Sequence, residues 1–142
     1  MDLPPESAGR RSVPHTADLR VEAWGATREE CLEQAVHGVC ESFLDLRGAR
    51  AVGRREAAVL AGSDEELLVA LLEEVVYWLD AEGEAPVGVE VTPVDGGVHA
   101  VLRMADARSC PVVGAAPKAV TWHGLEFGRG AAGWRCAVTV DV

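Results

Sequence analysis

The regular pattern of the chain begins at residue 18, where apolar and charged positions alternate as far as residue 24. One face of this segment carries Leu19, Val21 and Ala23, and the other face carries Asp18, Arg20 and Glu22. A period of two is typical of a strand with one buried face. The pattern therefore predicts a first strand from Asp18 to Trp24, with its charged face turned to solvent.

Two later segments have the period of a helix. Thr27 stands three residues before Glu30, and Ser63 stands three residues before Glu66, which is the spacing of a capping box at a helix N-terminus. Behind each pair, apolar residues recur at positions i, i+3 and i+4, as on the buried face of an amphipathic helix. We predict two helices, the second of which ends near Gly83.

The remaining patterns predict strands. A weak alternation covers residues 51–60, and two clear ones, 87–91 and 98–104, flank the turn sequence Asp95-Gly96-Gly97 and predict a hairpin. A last pair of strands is expected near Lys118–Phe127 and Gly133–Val142. This order predicts an α+β fold of two layers, in which a mostly antiparallel sheet of about six strands packs against two helices.

Length and composition define the kind of molecule. A chain of 142 residues is expected to form one domain. We assign it to residues 15–142 and expect a flexible N-terminal tail at residues 1–14, which are rich in Pro, Gly, Ser and Arg. No apolar run approaches the roughly 20 residues of a membrane helix, and no secretory signal pattern opens the chain. We therefore expect a soluble, cytoplasmic protein without membrane contact.

Charge argues against direct recognition of nucleic acid. The chain has 23 acidic and 13 basic residues, and its formal net charge is −10. Most of such a surface repels DNA and RNA, so autonomous binding of either is not expected.

Common enzyme motifs are missing from the sequence. It has no Gly-rich phosphate loop between a strand and a helix, no GxSxG elbow, no CxxC pair and no HExxH motif. Of the four cysteines, Cys31, Cys40 and Cys136 are expected to be buried and reduced, and Cys110 is expected to be reachable in a Pro/Gly-flanked loop. These observations favour a protein that is not an enzyme.

Three carboxylates form the strongest candidate for chemistry. By strand parity Asp18 and Asp141 both project from the polar face, and Val142 would add a terminal carboxylate next to Asp141. If the first and last strands are neighbours, the three groups meet, and an all-oxygen cluster suits Ca²⁺, Mg²⁺ or Mn²⁺. The alternative is an ordinary solvated chain end, with Asp18 held in a turn by His15 and Thr16.

A further signal is Lys118, the single lysine among the 13 basic residues. Its compact ammonium has properties that Arg does not reproduce. Retention by chance is the alternative explanation.

Several of these motifs together resemble the archease family. The run His15-Thr16-Ala17-Asp18 resembles the family's beginning, Lys118-Ala119-Val120-Thr121-Trp122-His123 resembles its KAVTYH segment, and Val140-Asp141-Val142 resembles its ending. Trp78-Leu79-Asp80 also stands where the family has a similar helix. The resemblance extends from His15 to Val142 and includes the order and separation of the motifs.

The resemblance implies a partner function. Archeases assist the RtcB-type RNA ligase, a GTP- and manganese-dependent enzyme of tRNA splicing and RNA repair, by promoting its guanylylation and multiple turnover. The family binds a divalent metal ion through positions that correspond to Asp18, Asp141 and Val142. The protein would then be a non-catalytic activator that meets RNA only through the ligase. Two alternatives remain, an interaction or chaperone-like module without a metal and a small metal-dependent enzyme.

Two more residues are candidates for contact with the partner. Lys118 would contact a phosphate or a carboxylate of the ligase, and His123 is a second candidate on the opposite face of the strand. For His123 the alternative is a histidine hydrogen-bonded inside the sheet.

Overall fold

The computed structural model describes residues 8–15 and 18–142. In chain order its elements are β1 (Gly9–His15), β2 (Asp18–Gly25), α1 (Arg28–Phe43), β3 (Gly53–Leu60), α2 (Asp64–Tyr77), a π-helical turn (Trp78–Glu82), β4 (Glu84–Val94), β5 (Gly97–Asp106), a 3-10 turn (Ala107–Ser109), β6 (Ala119–Gly130) and β7 (Gly133–Asp141).

The strands form two antiparallel sheets. One has the order β1-β2-β7-β6 and the other the order β3-β5-β4. The predicted α+β class with two helices is confirmed. In the described part of the chain the strands number seven, against about six expected, and they divide between two sheets.

The helices join the two sheets into one core. α1 packs against β2 and β4, and α2 packs against β6 and β3, so each helix contacts a strand from each sheet. α1 also covers the open edge of β4, where the Glu33 carboxylate accepts the Val91 N–H at 2.8 Å. This bond satisfies a backbone N–H on the side of β4 that faces away from β5.

The first strand corrects the prediction of a flexible tail at residues 1–14. Residues 9–14 belong to β1, which pairs with β2 along its whole length. The Arg10 side chain bonds Glu41 and Gln34 on α1, and Arg11 pairs with Glu22 of β2. Polar pairing therefore holds this strand, and a search for alternating apolar residues does not detect it. Residues 1–7 lie outside the described part of the chain.

The predicted helix caps are present. The Glu30 N–H donates to Thr27 Oγ1 at 3.0 Å, and the Glu30 carboxylate accepts the Ala26 N–H at 3.0 Å. At α2 the Glu66 N–H donates to Ser63 Oγ at 3.2 Å. These bonds satisfy N–H groups that a helix start leaves free. In the described residues no helix has the length and apolar character that crossing a membrane requires.

All four cysteines are free and buried. This confirms the expectation for three of them and corrects it for Cys110, whose exposed fraction is 9%. The reason is the 3-10 turn before it: Asp106 accepts the Arg108 N–H at 3.0 Å, and the turn brings the Cys110 thiol to the Asp106 carbonyl at 3.5 Å. Burial also raises the pKa of the Cys40 thiol to about 12.

Candidate metal and partner site

Asp18 and Asp141 lie directly opposite each other on adjacent strands. β2 pairs with β7 in a register that places Asp18 across from Asp141, followed by Leu19 across from Val140. Opposite residues of an antiparallel pair share a face and have Cβ atoms roughly 4.5–5.5 Å apart. The structure therefore brings together two carboxylates that are more than a hundred positions apart in the sequence.

The face that holds this pair points away from the helices. Val21 and Ala23 of β2 are buried toward the core, whereas Asp18 is half-buried and Asp141 is exposed. The predicted parity of the first strand is therefore correct, and its register with β7 places Asp141 on the same face as Asp18. It follows that both carboxylates are accessible to an ion or a partner from outside the sheet.

Neighbouring charges do not neutralise the pair. Arg20, the next residue on the same face of β2, directs its guanidinium to Glu126 at 2.7 Å and to the Gly124 carbonyl at 3.0 Å. Within the described residues, neither the Asp18 nor the Asp141 carboxylate has a hydrogen bond or ion pair. Two adjacent like charges thus remain without a cationic partner from those parts of the chain.

The backbone fixes Asp141 from its other side as well. The Lys118 N–H donates to the Asp141 carbonyl at 2.7 Å, and Ala119 of β6 lies across from Asp141. Because β7 lies between β2 and β6, Asp141 is held by strands on both flanks. This bond also places the lysine backbone beside the carboxylate pair.

The donor set fits a hard divalent cation. Among the described residues no group of three His, Cys, Asp or Glu side chains is arranged to hold a metal ion. The described side chains therefore provide two carboxylates, and Val142, the third ligand that the sequence predicts, directly follows Asp141. Oxygen ligands of this kind suit Ca²⁺, Mg²⁺ or Mn²⁺ better than a softer metal.

The other predicted site residues do not all lie close to the carboxylate pair. His15 occupies the register position opposite Asp18 on β1, and Thr16 and Ala17 lie outside the described residues. His123 is exposed, in contrast to the alternative of a histidine inside the sheet. It belongs to an irregular part of β6 between Thr121 and Glu126, away from the paired position of Ala119.

Sequence analysis missed a cavity next to Lys118. It has a volume of about 260 Å³ and lies between α2 and the start of β6, with Glu73, Val76, Tyr77, Asp80, Lys118, Ala119 and Val120 as its lining. A signal was available in the sequence, because Tyr77 is a large aromatic residue on the polar side of an otherwise amphipathic helix. Its position opposite Lys118 depends on the packing of α2 against β6, which the pattern does not contain.

Comparison with known proteins gives a consistent result. A family model described as "Archease protein family (MTH1598/TM1083)" matches residues 11–142. The chain is 55% identical over 139 residues to "Probable protein archease" of Mycobacterium tuberculosis, covering 98% of this chain and 78% of the relative. It is 32% identical over 135 residues to "Protein archease" of Archaeoglobus fulgidus, covering 93% of this chain and 98% of the relative.

Solved structures share the fold at lower identity. The solution structure of Methanobacterium thermoautotrophicum protein 1598 matches with a TM-score of 0.71 and 22% identity, covering 94% of this chain and 99% of that chain. The crystal structure of an archease from Thermotoga maritima, described as a possible chaperone, matches with a TM-score of 0.66 and 22% identity, covering 93% and 96%.

Proposed function

The chain belongs to the archease family, and on that premise we propose that it is a non-catalytic, metal-binding activator of a GTP- and manganese-dependent RtcB-type RNA ligase. The observation that carries the proposal is the register of β2 and β7, which sets Asp18 across from Asp141 on an open face. Two carboxylates that no described side chain neutralises are costly in this position unless a cation joins them.

The proposed ligands are Asp18, Asp141 and the Val142 carboxylate. A divalent ion bound there would supply positive charge close to the phosphate groups of a nucleotide. The chain's own residues hold the carboxylates: β2 and β6 fix the backbone of Asp141 from both sides, and the Arg20–Glu126 pair keeps a nearby guanidinium away from them. Lys118 is exposed beside this site, and we propose that its ammonium contacts a phosphate or a carboxylate of the ligase.

Charge supports docking to a basic partner. The net charge of −10 attracts a ligase that itself binds RNA, and this attraction acts mainly on the association rate. We expect association to slow steeply as salt is added.

The test is RNA ligation with limiting ligase, GTP and Mn²⁺, in the presence of the wild type, Asp141→Asn or the control Asp95→Asn. Asp95 is an exposed turn residue before Gly96, and Asn-Gly suits such a turn equally well. We expect the wild type and the control to convert one turnover into many, and Asp141→Asn to fail. Equal stimulation by all three proteins would favour an interaction module without a metal. No stimulation by the wild type would refute the activator function.

Calorimetric titration with Ca²⁺ and Mn²⁺ examines the metal separately from the ligase. We expect one binding event per chain in the wild type and none in Asp18→Asn or Asp141→Asn. An unchanged isotherm in both variants would refute these ligands.

A further inference from the structure

The face formed by α2 and the start of β6 is exposed and carries unusual side chains. All seven aromatic residues lie in the described part of the chain, and of these only Tyr77 and Trp122 are exposed, with 56% and 55% of their surface open to solvent. Tyr77 ends α2 and Trp122 is in β6, and these two elements pack against each other. Exposed large aromatic residues are typical anchors of protein–protein interfaces.

Tyr77 borders two hollows on this face. One is the cavity of about 260 Å³ beside Lys118, and the other is a more open hollow of about 520 Å³ along α2 that Ala70, Glu73 and Glu74 also line. Glu73 and Tyr77 line both. The two hollows are therefore adjacent on the exposed side of α2.

Charges in the cavity indicate its occupant. Glu73 and Asp80 contribute two carboxylates and Lys118 one ammonium, which gives a net charge of −1. In the described part of the chain, none of the three side chains has an ion pair or hydrogen bond. The lining thus presents two carboxylates without partners and the ring of Tyr77 to any group that enters.

We propose that this cavity binds an arginine side chain of the ligase. A guanidinium matches the lining, because its planar fork pairs with carboxylates while its face stacks on an aromatic ring. A lysine ammonium can also lie over the ring, but it lacks the planar fork that pairs with carboxylates while it stacks. The Lys118 N–H also bonds the Asp141 carbonyl, so the cavity lies at the same end of the sheet as the carboxylate pair, which points from the opposite face.

This inference rests on the proposed function, since it assumes that the ligase is the partner. The experiment measures the dissociation constant of the purified ligase complex by calorimetry or surface plasmon resonance. The test variant is Glu73→Gln/Asp80→Asn. Its control, Glu90→Gln/Asp95→Asn, removes the same two charges from exposed positions of the other sheet, at β4 and its turn. A third variant, Tyr77→Leu, keeps apolar surface and removes the aromatic ring.

We expect the test variant and Tyr77→Leu to raise the dissociation constant about tenfold, mainly through faster dissociation, and the control to change it less than twofold. All of these positions are exposed, so thermal melting of each variant should match that of the wild type. Equal effects of the test variant and its control would overturn the arginine site while leaving the activator function intact.

Three other outcomes also contradict the proposal. If RNA phosphate or an acidic partner group fills the cavity, removal of Glu73 and Asp80 strengthens binding, and the arginine assignment is wrong. If the wild type does not bind the ligase, both this site and the proposed function fail. A loss of binding in Asp141→Asn with no loss in the test variant would restrict contact to the carboxylate pair.

Discussion

Asp18 and Asp141 occupy one cross-strand position of β2 and β7 and carry like charges on the same face. Directly opposite like charges destabilise an antiparallel pair. We therefore expect Asp141→Asn to raise the free energy of unfolding by about 0.2–1 kcal/mol in EDTA, as measured by urea denaturation. A decrease in EDTA would show that the carboxylate has a favourable partner.

Addition of Ca²⁺ or Mn²⁺ should make the wild type more stable than Asp141→Asn. A ligand that binds only the folded state stabilises it by mass action, and at a hundred times the dissociation constant the gain is about 2.7 kcal/mol. The wild type and Asp95→Asn should gain this stability, whereas Asp141→Asn should not. The same gain in all three proteins would place the ion elsewhere.

The N-terminal strand should contribute to stability. A chain that begins at residue 15 loses the β1–β2 pairing and the bonds of Arg10 to Glu41 and Gln34. We expect its free energy of unfolding to fall by at least about 2 kcal/mol, since each net backbone hydrogen bond contributes roughly 0.5–1.5 kcal/mol. A chain that begins at residue 8 keeps these contacts and is the control. Equal denaturation midpoints for the two chains would show that β1 contributes nothing.

Glu33 should make stability depend on pH. Burial raises its pKa above the ordinary value of 4.5, although the Val91 N–H opposes this effect. A raised pKa in the folded state means that the stabilising contribution is complete below the ordinary pKa and is lost as pH rises through the folded value.

The variant Glu33→Gln keeps an oxygen acceptor for Val91 and removes the charge. We expect it to be more stable than the wild type at pH 7, with a difference that shrinks on acidification toward pH 4. Urea denaturation between pH 4 and pH 7 measures this difference in the free energy of unfolding. The control is Glu74→Gln, at an exposed position of α2. A difference in stability that does not change with pH would contradict a raised pKa of Glu33 as its cause.

The thiols should be protected in the folded protein. All four cysteines are buried, and burial raises the pKa of Cys40 to about 12. We expect no rapid reaction with a disulfide reagent at pH 8 in the native state and reaction of all four thiols in 6 M guanidinium chloride. One fast thiol in the native protein would indicate opening of the 3-10 turn that covers Cys110.

Local chemistry was predictable from the sequence, and long-range pairing was not. Thr27 and Ser63 cap their helices as their spacing indicates, because a cap depends on residues three positions apart. The face of Asp18 followed from alternation, and its closeness to Asp141 followed only if the first and last strands were neighbours. The structure meets this condition, because β2 and β7 pair in the register that sets Asp18 across from Asp141.

Two features depend on contacts between distant segments. β1 is held by Arg10 and Arg11, whose partners are on α1 and β2, so its composition suggested a tail. The cavity beside Lys118 depends on how α2 crosses β6, and no pattern within either segment encodes this contact. In both cases side chains from distant parts of the chain determine the structure.

The central position of β7 sets an order of events during synthesis. β2 leaves the ribosome early, yet the partner on its second edge is translated more than a hundred residues later. Until then the β1–β2 hairpin presents a row of unpaired backbone groups, which is a template for aggregation. Closure of the sheet requires a long loop search, which slows folding. The second edge of β2 therefore stays open until β7 inserts, and the carboxylate pair is assembled in the same late step.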